Sequence, residues 1–190
     1  MKIVTYTNKE RADLGLLLND KIYSLNAIAS SMNAFLQMGD TAMQKAKSVE
    51  ESIKNGSSNS IGISLSNSEL LAPVPCPPSC RDAYAFRQHV EKGRKNRGLD
   101  MIPEYDQFPV FYYGNHNTIG GSGEVLIQKD QSVKLDYELE IAAIIGKKGK
   151  NIPANEADDY IMGYTIMNDL SARALQMEEM KLSLGPAKGK

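Results

Sequence analysis

Apolar and charged residues alternate with a period of two along residues 131 to 146, QSVKLDYELEIAAIIG. Val133, Leu135, Tyr137, Leu139, Ile141, Ala143 and Ile145 fall on one side of an extended chain, with Lys134, Asp136, Glu138 and Glu140 on the other. The pattern predicts a strand that carries three carboxylates on one face. Same-face neighbours on a strand lie about 7 Å apart, where like charges repel, so such a face needs water or a cation beside it. Glu138 and Glu140 are therefore candidate metal ligands.

The rest of the chain predicts a mixture of helices and strands. IVTY, GLLL and KIYSL read as strands of a hairpin, with a turn at Asn19-Asp20. Asn26 is placed to cap a helix whose apolar positions Ile28, Met32, Phe35 and Leu36 recur at helical spacing, and Gly39 stops it. A second helix has Ala42, Ala46, Val49 and Ile53 on one side, ends at Asn55-Gly56, and is followed by the polar connector SSNS at 57 to 60. LLAPVPCPP, residues 70 to 78, holds four prolines and excludes a regular helix or a central strand. It marks a boundary between a small α/β auxiliary domain, residues 1–70, and a second domain, residues 71–190. In that second domain RDAYAFRQHV predicts a helix, because Ala83, Phe86 and Val90 repeat every three to four residues. FPVFYY predicts a strand, GNHNTIGGSGE a turn between strands, YIMGYTIM a buried strand and SARALQMEEMK a helix. The fold class is α+β.

Composition narrows the partners. With 42% hydrophobic and 24% charged residues and a net charge of -1, Lys and Arg are balanced by Asp and Glu and no nucleic-acid surface is expected. The basic run Lys92, Arg94, Lys95, Arg97 reads as a solvated helix end or loop. No apolar run reaches the length of a membrane span, and the opening KIVTYTNKERADLG has no apolar signal core. A cytoplasmic protein without a membrane partner is expected. Cys76 and Cys80, in CPPSC, have no second Cys or His pair to complete a zinc site and read as reduced thiols.

Three further residues could carry chemistry. Asp82 and His89 are seven apart, so in a helix they would share a face, one offering a carboxylate to a cation and the other an imidazole to substrate or water. The plainer alternative makes Asp82 a helix cap and His89 a surface residue. Asp169, between a predicted strand and a predicted helix, either delivers a functional group or caps the helix from Leu170. Gly114, Gly120, Gly121 and Gly123 make none of the phosphate-binding patterns. Asp82, Glu138, Glu140 and Asp169 together offer only oxygen donors, which select a hard cation: Mg²⁺, Ca²⁺ or Mn²⁺.

The segments RDAYAFRQHV, FYYGNHNTIGGSGE, LDYELEIAAIIGKKGKNI and GYTIMNDLSARALQ, ending in GPAKGK, run in this order from about Pro73. They resemble the fumarylacetoacetate hydrolase family, and the E-x-E strand followed by N-D-x-S-A-R is the specific part of the match. The resemblance implies a small N-terminal α/β domain followed by the first part of a β-rich, mixed-sheet, β-roll-like catalytic domain. It implies a cation, Mg²⁺ or Ca²⁺, bound by Asp82, Glu138, Glu140 and Asp169; Asp136 has no counterpart among those ligands. His89 falls on the general base, Tyr84 on a substrate-contacting tyrosine, and Gln176 and Lys190 on a glutamine and a lysine that face the substrate. Asn115 and Met180 stand where the animal-type enzymes carry substrate-binding tyrosines.

The reaction implied is hydrolysis of a carbon-carbon bond in fumarylacetoacetate or a related acylpyruvate, a 1,3-dicarbonyl acid of aromatic amino-acid breakdown, by a homodimer. His89 would take a proton from water, and the cation, Gln176 and Lys190 would stabilise the expelled enolate. The same site would serve a decarboxylase, isomerase or hydratase of small 2-oxo acids. A third alternative is an inactive metal-binding or assembly protein. Because the family's catalytic domain continues beyond GPAKGK, the second domain is expected to be incomplete at its C-terminal side. Its unpaired strand edges would leave the 190-residue chain poorly stable or inactive alone.

Overall fold

Two tight turns set the first sheet. β1 (Lys2–Asn8) and β2 (Arg11–Leu18) are joined through Lys9 and Glu10, and β2 and β3 (Lys21–Ser24) through Asn19 and Asp20. All four turn residues have positive φ, from 48° to 69°, the two-residue turn whose twist matches an antiparallel pair. β4 (Ile63–Ser64) adds to β3, and the sheet order is β1-β2-β3-β4. This protein is described over residues 1–182 by a computed structural model.

α1 (Met32–Met38) and α2 (Asp40–Lys54) cover this sheet, with Phe35, Ala42 and Ala46 fully buried against Leu14, Leu16 and Leu25. The cap of α1 is Ser31, whose hydroxyl accepts the Ala34 N–H at 3.2 Å, and not Asn26 as the apolar spacing suggests. A turn at Leu25 comes first, where Ile28 N–H donates to the Leu25 carbonyl at 2.8 Å. Asn26 instead accepts the N–H of Leu14 at 3.0 Å. The proline segment is strapped along the edge of β1. Thr7 N–H donates to Glu69 O and Leu71 N–H to Thr5 O, both at 2.9 Å, and Thr5 Oγ1 donates to Pro73 O at 2.7 Å. An edge strand can hold prolines because their missing N–H would face away from the sheet.

The described chain clusters into two compact units, one from Met1–Cys76 with the segment beginning at Thr118, the other Pro77–Asn117. In the second unit, the helix expected over RDAYAFRQHV begins only at Arg87. Its first residues form β5 (Cys80–Ala83), antiparallel to β6 (Phe111–Gly114), and α3 (Arg87–Asn96) follows. Arg81 lies opposite Tyr113, and its guanidinium sits 5.0 Å from the Tyr113 ring centre and 5.2 Å from that of Phe111, a cation–π stack across the two strands. Asp82 is thus a strand residue and His89 a helix residue, so they share no helix face. The basic residues Arg94 and Lys95 close α3, as expected. Cys76 is an exposed free thiol.

The remainder of the first unit is a long two-stranded ribbon. β8 (Leu139–Ile145) pairs with β9 (Ile161–Asn168), and β7 (Leu135–Asp136) with β10 (Ser171–Ala172). Between these ladders Glu138 and Asp169 exchange both backbone bonds, at 3.1 and 2.9 Å, and beyond them Arg173 N–H donates to Lys134 O at 3.1 Å. One register therefore runs from Lys134 opposite Arg173 to Ile144 opposite Gly163, ending at a bulge between Ile144 and Ile145. α4 (Arg173–Lys181) continues from β10.

The alternation predicted for this segment is present, but its covered side is the charged one. Glu138, Glu140, Ala142 and Ile144 are half-buried, and Ile144 packs with Met162 against the N-terminal core. The apolar side is open: Leu139 is 77% exposed and Ile166, from the strand expected to be buried, 76%. No helix among the described residues is long and apolar enough to cross a membrane.

Candidate metal centre on the acidic ribbon

Directly opposed residues of an antiparallel pair share a face, so the ribbon's register gathers Asp136, Glu138, Glu140 and Asp169 on one side. Glu138 and Asp169 form the hydrogen-bonded pair, with Cα atoms about 5.5 Å apart for this pair type; Glu140 is one step along the diagonal. A carboxylate oxygen of Glu140 lies within 4.8 Å of one of Asp169. Two oxygens bound to one hard cation at about 2.0–2.6 Å can be about 4–5 Å apart. The pair spans such an ion, and its all-oxygen chemistry suits Mg²⁺, Ca²⁺ or Mn²⁺. Glu138, Glu140 and Asp169 are half-buried, which strengthens both their mutual repulsion and their attraction for a cation.

Arg173 organises the end of this face. Its Nε donates to Asp136 Oδ2 at 3.0 Å, Nη2 to Glu138 Oε1 at 2.5 Å and Nη1 to Gln176 Oε1 at 3.1 Å. Partial burial works against its charge, but the bonds to Glu138 and Asp136 outweigh that and raise its pKa overall. The Arg173 bond, helped by the Tyr137 N–H, holds the Asp136 carboxyl below the usual carboxylate range. Asp136 is therefore an ion-pair partner at the entrance to the ribbon. Residue-by-residue reading of the sequence passed over Arg173, although it closes the N-D-x-S-A-R run.

Asp169 does not cap a helix. α4 starts at Arg173 with Ala172 as its N-cap, and Asp169 is spent in the ladder with Glu138. Gln176 lies one turn into α4, within reach of Arg173, while Lys190 lies outside the described residues. Met180 is exposed on α4, and Asn115 Oδ1 accepts the Asn117 N–H at 3.1 Å.

The second unit carries the other expected residues. Asp82 is half-buried on β5 opposite Tyr112, and His89 is exposed in the first turn of α3. Tyr84 is exposed beside an open hollow of about 320 Å³ that Tyr105, Phe108 and Val110 also line. The Tyr105 hydroxyl donates to the Tyr84 carbonyl at 2.9 Å. Arg87 stacks over Tyr105 and binds Glu91 at 2.9 Å and Asp106 at 2.5 Å.

The family model described as "Fumarylacetoacetate (FAA) hydrolase C-terminal" matches residues 79–190. The chain is 32% identical over 189 residues to the mitochondrial oxaloacetate tautomerase fahd2 of Xenopus laevis, covering 94% of this chain and 54% of that protein. It is 29% identical over 204 residues to the oxaloacetate tautomerase YisK of Bacillus subtilis, covering 97% and 65%. The chain therefore spans between half and two thirds of the length of these relatives. Among solved structures, fumarylacetoacetate hydrolase from Exiguobacterium antarcticum superposes with a TM-score of 0.63 at 22% identity, over 95% of this chain and 59% of that one. Maleylpyruvate hydrolase from Sphingobium, solved with manganese(II) and pyruvate, superposes with 0.63 at 18%, over 90% and 59%. At these identities the structures speak for the fold, and the fold is theirs.

Proposed function

The chain belongs to the fumarylacetoacetate hydrolase family, and from that premise we propose that it is a divalent-cation-dependent enzyme that forms and stabilises the enolate of a small 2-oxo acid, its reaction being keto–enol tautomerisation of oxaloacetate or a close analogue. The observation that carries this reading is the half-buried acidic face on which Glu140 and Asp169 oxygens lie within 4.8 Å. Two oxaloacetate tautomerases align with almost the whole chain and support the choice of substrate class.

Glu138, Glu140 and Asp169, with Asp82 from β5, are the ligands in this reading. A divalent cation bound there would supply Lewis-acid polarisation of a substrate carbonyl. Arg173 binds the Gln176 oxygen, which leaves the Gln176 amide N–H groups as donors toward an enolate oxygen. His89 moves the proton between carbon and oxygen, Tyr84 contacts the substrate, and Lys190 supplies a positive charge for a carboxylate. The reading includes a cytoplasmic homodimer, which light scattering tests.

Hydrolysis of a carbon–carbon bond in an acylpyruvate such as fumarylacetoacetate is the second reading. The RQH triplet at residues 87–89 favours it, because His89 falls on the water-activating base. The two readings share the enolate and part at the electrophile.

The deciding experiment follows the ultraviolet absorbance of enol-oxaloacetate, and separately that of acetylpyruvate and fumarylacetoacetate, with EDTA, Mg²⁺ or Mn²⁺. Cation-dependent acceleration with oxaloacetate, lowered about 100-fold or more in Asp169→Asn, is expected. Acceleration with neither class of substrate, or activity indifferent to EDTA and to Asp169→Asn, refutes the reading.

A further inference from the structure

Arg173 is in an electrostatically poor position for its own helix. It is the first residue of α4, whose first turn holds no acidic side chain, and a cation at a helix N-terminus opposes the helix dipole. Its reward lies outside the helix. Three of its nitrogens are committed to Asp136, Glu138 and Gln176, two of these partners being carboxylates of the acidic face. The planar fork of arginine can reach three acceptors in this way, and a lysine ammonium on one flexible stem cannot hold the same geometry.

We propose that Arg173 is a resident counter-charge that partly neutralises the acidic ribbon before any divalent cation arrives, and that it thereby weakens cation binding while holding the metal-free ribbon together. The inference rests on the metal reading above. Like charges two residues apart on one strand face lie about 7 Å apart and repel, and the fork of Arg173 bridges two of them, Asp136 and Glu138. The same positive charge, bonded to Glu138 beside Asp169, repels a second cation. Arg173 is thus a positioning residue that exchanges affinity for stability in the empty state, and keeps bound cation exchangeable.

Mn²⁺ titration of the purified protein, followed by electron paramagnetic resonance of the free ion, tests this without any substrate. Arg173→Gln is expected to bind Mn²⁺ at least tenfold more tightly than the parent and to melt at a lower temperature in EDTA. Arg173→Lys, which keeps the charge and loses the fork, is expected to stay within threefold of the parent in Mn²⁺ affinity and still to melt lower in EDTA. Unchanged or weaker Mn²⁺ binding by a folded Arg173→Gln overturns the inference. If Arg173→Gln does not fold, Arg173→Lys decides alone: a tenfold change in its affinity overturns the inference. Absence of Mn²⁺ binding by the parent removes the metal reading itself, and this inference with it.

Discussion

Replacing Asp169 by Asn should abolish the stabilisation of the protein by metal. The two carboxylate oxygens of Glu140 and Asp169 are at most 4.8 Å apart. At that separation two unit charges repel by about 0.9 kcal/mol in a water-like dielectric and about 3.5 kcal/mol at an effective dielectric constant of about 20. Both residues are half-buried, so the value lies between these limits. Asn keeps the shape and the backbone bonds of Asp169 and removes one of the charges. For a chain of this size about 1 kcal/mol moves the melting temperature by about 2–4 °C. With Mg²⁺ at about 100 times its dissociation constant the parent gains about 2.7 kcal/mol, or about 5–10 °C, while the variant gains little. The metal-induced shift should appear in the parent and be largely lost in the variant. Differential scanning fluorimetry in EDTA and across a Mg²⁺ series reads it. Equal metal-induced shifts in the parent and the variant refute Asp169 as a ligand.

Phe35 is fully buried between α1 and the first sheet, so Phe35→Ala should cost about 3–5 kcal/mol in urea denaturation; a loss below about 1 kcal/mol would mean that this core is not packed as described. Burial, reinforced by the negative charge of Asp13, raises the Tyr6 pKa above its ordinary value. A folded pKa above the unfolded one gives stability that is complete below about pH 10 and is lost as pH climbs through the folded value. Stability curves above pH 10 should consequently be flatter for Tyr6→Phe than for the parent, and parallel curves count against the assignment. Ile166 is 76% exposed, so Ile166→Lys in the 190-residue chain should change stability by less than about 0.5 kcal/mol and lower the binding of a hydrophobic dye. A loss of several kcal/mol would show instead that this face is covered in solution.

What could be read from the sequence was local. The turn at Asn19-Asp20, the span of α2 and the alternation of the acidic strand each follow from residues within about ten positions of one another. The errors arose where distant chain decided. Ala83, Phe86 and Val90 do recur at helical spacing, but residues 80–83 find backbone partners at 111–114, and the stack of Arg81 on Phe111 and Tyr113 adds to that pairing. Ser31, not Asn26, caps α1 because the chain first spends Asn26 on the N–H of Leu14 in β2. The alternation likewise revealed two faces without saying which one is covered, since that depends on Ile144 and Met162 docking against a core built by the N-terminal helices and strands.

The N-D-x-S-A-R run shows how the site itself could have been read. Taken as the start of a helix, it leaves Asp169 as a cap and Arg173 as a surface charge. Taken with a period of two, Asp169, Ser171 and Arg173 fall on a single strand face, the same periodicity that marks Asp136, Glu138 and Glu140. The structure follows the second reading as far as Arg173, where the ladder ends and α4 begins. The two motifs are then two sides of one register: Asp169 opposes Glu138, Ser171 opposes Asp136, and Arg173 opposes Lys134, from which its side chain turns back over both acids. A slip of one residue would put Leu139 opposite Asp169 and send every alternate side chain to the wrong face. The bulge at Ile144 and Ile145 and the anchoring of Ile144 and Met162 in the core guard against that slip at the far end of the ribbon. The acidic face is thus fixed by packing of apolar residues remote from it, which leaves its own residues free to be chosen for charge.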